Sequence, residues 1–243
     1  MTTLVKITIA IILTLLLSSC GFDINFGDFG SGVKGNKVVV EEDRKVTDDF
    51  TVISASEGIQ VYVTQAEEYH ISVKADENVI DLIGTDIANG KLRIHAIENI
   101  GRSTKKVYVS LPNINALKSS SGSHLTAENI IKSNDLEIDA SSGSILSAQI
   151  SCKELEVDAS SGANISLSGK ANNADVDSSS GANIRAKNLN TLVCSAEASS
   201  GSNIKIHVSE SLHADASSGA NISYSGEANV QKKKSVSGSV HKF

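Results

Sequence analysis

An all-β fold is predicted, a single-stranded parallel β-helix with coils of about 19 residues and an N-terminal β cap, and three observations carry that prediction. Ser-Gly steps recur at Gly122, Gly143, Gly162, Gly181, Gly201, Gly219 and Gly238, at intervals of 21, 19, 19, 20, 18 and 19 residues. Apolar and polar residues alternate on both sides of each glycine, as in Leu155, Val157 and Ala159 before Gly162 and Ile165 and Leu167 after it. A period of two rather than 3.6 excludes a helical solenoid. The composition agrees: aromatics make up 4% of 243 residues, Trp is absent and there is one Pro, which suits a thin stacked core better than one deep core.

Residues 1–19 read as a lipoprotein signal peptide. Lys6 supplies the basic start, an apolar stretch from Ile7 to Leu17 is broken only by Thr8 and Thr14, and Leu17-Ser18-Ser19-Cys20 follows. That order resembles the bacterial lipobox, which implies lipidation at Cys20 after cleavage. The apolar run is too short to span a bilayer comfortably. Residues 20–36, with their Gly, Asp and Phe, read as a flexible lipid-anchored tether. The membrane is therefore a partner through the N-terminal lipid. The expected place is the cell envelope, at the outer membrane, with neither its periplasmic nor its surface face selected.

Residues 37–118 carry less regular strand signals, at 37–40, 50–54, 59–64, 70–74, 91–95 and 106–111. A helical turn is expected over 76–83 and a hairpin at Asn89-Gly90. Antiparallel or mixed structure here would cap the first coil, because an open solenoid end exposes both core and strand edges.

Residues 119–243 form the repeat. Asp158-Ala-Ser-Ser-Gly-Ala-Asn-Ile165 returns almost unchanged at 177–184, 197–204 and 215–222. Coils of this length stack at the ~4.8 Å strand spacing, so equivalent residues form ladders. The glycines from Gly122 to Gly219 are expected at corners, where positive φ costs them little. Asn164, Asn183, Asn203 and Asn221 are expected to stack beside them, each amide bonding the coils above and below. The crossover rule favours right-handed coiling. Cys194 takes a core position equivalent to Leu136, Leu155 and Leu212, whereas Cys152 falls in an inter-strand loop two coils away, so no disulfide is expected. Lys232, Lys233 and Lys234 fall where a further coil would place core residues, and are expected to end the stack.

The formal net charge of -6 and a pI near 5.5 argue against a nucleic-acid partner, which would need clustered Lys and Arg. No His/Cys metal spacing, phosphate-binding loop or nucleophile elbow is present, and the six histidines fall in different phases of the pattern. One outward feature is distinctive. Four residues before the corner glycines stand Asp139, Asp158, Asp177, Glu197 and Asp215, and six before stand Glu137, Glu156 and Asp175. Stacked, they form acidic columns, either a solvated strip or a ligand site for a cation, with Ca²⁺ the one cofactor to consider.

Ser56-Glu57-Gly58-Ile59-Gln60-Val61-Tyr62-Val63, Gly90-Lys91-Leu92-Arg93-Ile94 and Val107-Tyr108-Val109-Ser110-Leu111-Pro112, followed by Ser-Gly coils, resemble the head GIN domain family. That family is described as "putative autotransporter adhesins" and is common in Bacteroidetes lipoproteins. The resemblance implies a β-helical fold and an adhesive role, and carries over no catalytic residue. Only five residues follow Gly238, which speaks for lipid anchoring rather than an autotransporter barrel. The expected function is a non-catalytic, adhesin-like module binding polysaccharide or an envelope or host partner. The alternatives are a glycan-active β-helix enzyme, such as a polysaccharide lyase or hydrolase, and a purely structural envelope protein. Nothing in the sequence fixes the oligomeric state.

Overall fold

The computed structural model describes residues 32–233 and 237–243. The signal peptide, Cys20, most of the tether and Lys234 lie outside the described residues. Strands β1 (Val39–Arg44), β2 (Val52–Ala55), β3 (Gln60–Gln65) and β4 (His70–Asp76) precede a single 3-10 turn at Ile80–Leu82. Next come β5 (Ile83–Ala88), β6 (Lys91–Ala96), β7 (Lys105–Leu111), β8 (Ala116–Ser119), β9 (His124–Lys132) and β10 (Asp135–Ala140). The long strands β11 (Ile145–Ala159), β12 (Asn164–Ser178), β13 (Asn183–Ala198) and β14 (Asn203–Ala216) each run from one Ser-Gly turn to the next. The short strands β15 (Asn221–Ser225), β16 (Asn229–Lys232) and β17 (Ser239–Lys242) complete the chain. The result is a parallel β-solenoid of about 7 turns with a spacing of about 19 residues.

Two parallel ladders hold each coil. In the post-turn stack, Val61, Leu125, Leu146, Ile165, Ile184, Ile204 and Ile222 lie in register and are all buried. In the pre-turn stack, the same is true of Leu117, Ile138, Val157, Val176, Ala196 and Ala214. Like therefore packs on like from coil to coil, and burial of these side chains rather than local propensity fixes the register. The alternation breaks where two successive residues face outward, as at Lys153–Glu154, Asn172–Asn173 and Leu192–Val193. That double step turns the chain between the two stacks while strand pairing continues on either side.

The coil corner is tighter than the glycine alone suggests. Ser161 has φ 51° and Gly162 φ 72°, and the Ala163 amide donates to the Ser160 carbonyl at 3.0 Å. Two consecutive left-handed residues closed by an i to i+3 bond make a type I′ turn. The pattern repeats at Ser142-Gly143, Ser180-Gly181, Ser200-Gly201 and Ser218-Gly219. Each turn is also tied to the next, as where the Gly162 amide donates to the Ser180 carbonyl at 3.1 Å. The asparagines beside the turns do not form a continuous amide ladder. Asn203 Nδ2 donates to Asn183 Oδ1 at 3.2 Å, but Asn164 and Asn183 turn back to the Gly162 and Gly181 carbonyls. An Asn side chain can bond the backbone two residues away within its own turn, and this local bond competes with a ladder between coils.

Parallel pairing extends deep into residues 37–118. On one side of β2 and β3 lie β8 and β9; on the other lie β6 and β7, all in parallel register. The chain therefore places a later rung beyond an earlier one before it climbs. Among the described residues three pairs are antiparallel, β5 with β6 through Asn89-Gly90, β4 with β7 and β1 with β4. The first strand begins at Val39 rather than residue 37, because Lys37 has φ 67° and interrupts the extended backbone.

Cys152 is not in a loop. It lies on β11 opposite Ala171 and is 7% exposed, because the coil turns outward only at Lys153 and Glu154. Cys194 packs between Ala174 and Leu212. Both cysteines are free, and burial pushes their thiols up, to about 11 and about 12. They behave as small apolar side chains. At the far end Lys232 takes a core-column place opposite Ala214. Its Nζ stands 5.4 Å from the Tyr224 ring centroid and donates to the Val240 carbonyl at 2.9 Å.

Candidate functional site

The pre-turn stack carries the acidic columns on its outer face. Asp139, Asp158, Asp177, Glu197 and Asp215 lie in one register, and Glu137, Glu156 and Asp175 in the next row. The longer column is bracketed by lysines. Lys118 precedes Asp139 in register and pairs with Glu137, while Lys233 pairs with Asp215 at 2.7 Å. Asp158, Asp177 and Glu197 in the middle have no ion pair among the described residues. With serines of the adjoining turns, they line a shallow groove.

Electrostatics follow from that stacking. Carboxylates at the ~4.8 Å rung spacing repel by about 0.9 kcal/mol per pair even with water's dielectric. Partial burial, then Asp175, Asp158, Glu197 and Glu156, push the Asp177 carboxyl up to about 6. Asp158 is raised by the same kinds of neighbour, again with burial first. A raised folded-state pKa means that the folded state holds its proton more tightly than the unfolded chain. Stability therefore falls as pH rises from the ordinary carboxylate range through about 6.

Asp158→Asn with Asp177→Asn is accordingly expected to raise the melting temperature at pH 7.5 and low salt and to flatten its dependence between pH 4 and pH 7. Melting curves across pH and NaCl check this. A double variant that melts lower than wild type at low salt would contradict the stacked register.

No group of three or more His, Cys, Asp and Glu is arranged to chelate one ion among the described residues. The histidines serve elsewhere. His95 Nε2 contacts Asp86 at 2.7 Å within the β5–β6 hairpin, and His70 pairs with Asp43 at 3.0 Å.

A second row escaped the sequence reading. Tyr62 and Tyr108 stack on the outer face of the post-turn stack, with ring centroids 5.1 Å apart and planes at 16°. Tyr62 stands four residues after Gly58, as Thr126, Ser147, Ser166, Arg185 and Lys205 stand after later turn glycines. That signal was available. Tyr108 was not legible, since its place depends on β7 lying beside β3.

The model of the family described as "Putative auto-transporter adhesin, head GIN domain" matches residues 49–228. No curated protein matches the chain. Among solved structures, a "putative adhesin" from Bacteroides fragilis NCTC 9343 superposes with TM-score 0.80 at 21% identity, covering 87% of this chain and 100% of that one. A "putative adhesin" from Parabacteroides merdae ATCC 43184 gives 0.73 at 21% identity, covering 87% and 99%. A "putative lipid binding protein" from Parabacteroides distasonis ATCC 8503 gives 0.69 at 17% identity, covering 87% and 99%. At these identities the likeness establishes the shared fold.

Proposed function

The chain belongs to the head GIN domain family, described as "putative auto-transporter adhesin", and on that premise we propose that it is a non-catalytic binding module of the cell envelope, anchored at the outer membrane through a lipid on Cys20. Its ligand is an extended one, a polysaccharide or a partner protein of the envelope or host. One observation carries this reading: the distinctive exposed groups stand in straight rows at one-rung spacing, with Asp139, Asp158, Asp177, Glu197 and Asp215 in one register. Catalysis needs a converging set of unlike groups around one reacting atom. A row of like groups suits a repeating ligand, where many weak contacts add.

A screen of glycans and envelope components against the mature protein, with and without Ca²⁺, tests the function. Capture of an extended ligand is expected, and any Ca²⁺ dependence should vanish in Asp158→Asn with Asp177→Asn. Turnover of a glycan, or capture of nothing extended, would contradict it. Anchoring has its own test. Metabolic labelling with a fatty-acid analogue is expected to mark the wild type and miss Cys20→Ser, and label retained in the variant would remove the anchor.

A further inference from the structure

Along the outer face of the post-turn stack the tyrosine pair leads to a floor of small hydroxyl residues and then to basic ones. Tyr62 lies in register with Thr126, then Ser147, Ser166, Arg185 and Lys205. Thr126, Ser147 and Ser166 are half-buried, so the floor is low, while Arg185 and Lys205 are exposed. Ser147, Ser166 and Arg185 line one shallow depression together with Lys187. From Tyr62 to Arg185 is four rung steps, about 19 Å at ~4.8 Å each.

Lys106 Nζ stands 6.0 Å from the Tyr62 ring centroid, and both tyrosines remain half-exposed. In a chain whose aromatics are 4% of residues, two of its four tyrosines stack half-exposed on this face. Toward the row, Tyr62 meets Thr126, which is too small to cover its ring. Arg185, Lys187 and Lys205 make no ion pair among the described residues. On a chain of net charge -6, these unpaired cations are as distinctive as the carboxylate columns of the pre-turn stack.

We propose that this row is a binding cleft for an acidic polysaccharide, with a sugar ring against Tyr62, hydroxyls along the Thr126, Ser147 and Ser166 floor, and carboxylate or sulfate groups on Arg185 and Lys205. The aromatic wall provides apolar contact for a ring's C–H face, and its polar edge tolerates water. Serine and threonine hydroxyls both donate and accept, as sugar hydroxyls do. A guanidinium presents a planar fork that fits a carboxylate or sulfate, and Arg185 is oriented by its contact to Asn164 Oδ1 at 3.4 Å. An acidic peptide would satisfy the cations but leaves the open tyrosine face and hydroxyl floor without use. The cleft rests on the binding-module reading and names its ligand class.

Calorimetric titration of the mature protein with oligogalacturonate long enough to span the row, and separately with chondroitin sulfate, tests the cleft, all in EDTA to silence any Ca²⁺-bridged contact. At least one should bind saturably, with affinity reduced about tenfold or more by Tyr62→Ala and by Arg185→Glu with Lys205→Glu. Ser147→Tyr, an outward change that raises the floor without touching the core, should block binding with the melting temperature retained. Binding that survives both Tyr62→Ala and Ser147→Tyr, equal binding of polyglutamate, or no binding of either glycan overturns the cleft. If a screened glycan is instead lost in the Asp158→Asn, Asp177→Asn variant, the cleft falls and the binding module stands. If no extended ligand is captured at all, both fall.

Discussion

Gly169→Ala is expected to destabilise the solenoid by roughly 2–6 kcal/mol, the sum of an overpacking cost and a left-handed backbone cost. Gly169 lies on β12 with φ 108°, and an added Cβ would stand 2.0 Å from the Ile150 carbonyl oxygen of the neighbouring coil. That atom belongs to the ladder and cannot swing aside as a side chain would. Gly181 provides the contrast. Its φ is 72°, but an added Cβ meets nothing within 4 Å, so Gly181→Ala should cost only the left-handed backbone, about 1–2 kcal/mol. At about 2–4 °C per kcal/mol for a chain of this size, thermal melts separate the two. Equal shifts would mean that β11 and β12 do not approach so closely at Gly169.

Val176→Asp is the second large effect. Val176 is 1% exposed between Val157 and Ala196 in the pre-turn ladder, and the cation of that column among the described residues, Lys232, stands three rungs away beyond Ala214. A carboxylate there would be buried unpaired, at a cost on the order of 4 kcal/mol or more, or it would prevent folding. One residue on, Asp177→Lys should be tolerated and even favourable, since it places a cation among Asp158, Asp175 and Glu197. The reversal between adjacent positions follows from the two-residue period, and expression level with melting temperature reads it. A tolerated Val176→Asp would put the strand in the other phase.

The repeat was legible because every coil states the same local rule: a turn glycine, an alternating apolar set and a small residue at the corner. Register followed from spacing alone, which is why the acidic rows could be named residue by residue. What stayed hidden was non-local. Residues 105–111 sit beside 60–65 because β6 and β7 take the side of β2 and β3 left open by β8 and β9. Nothing local in Lys106-Val107-Tyr108 reports that choice, so the Tyr62–Tyr108 pair could not be foreseen. Cys152 was misplaced for a simpler reason. The second corner has no glycine and is marked only by two successive outward residues, which in a single coil look like ordinary polar strand positions. The left-handed serines share this difficulty, since Ser rarely takes positive φ and the following Gly accounts for the turn on its own.

The binding reading rests on rows that repeat along the solenoid, and the dependence of affinity on ligand length tests it most directly. A length series of a captured glycan, titrated against the mature protein, should show affinity rising stepwise with each added unit until the ligand spans the row, with monosaccharides giving no measurable binding. Full affinity already reached by a single sugar would place recognition in one compact pocket and contradict the account.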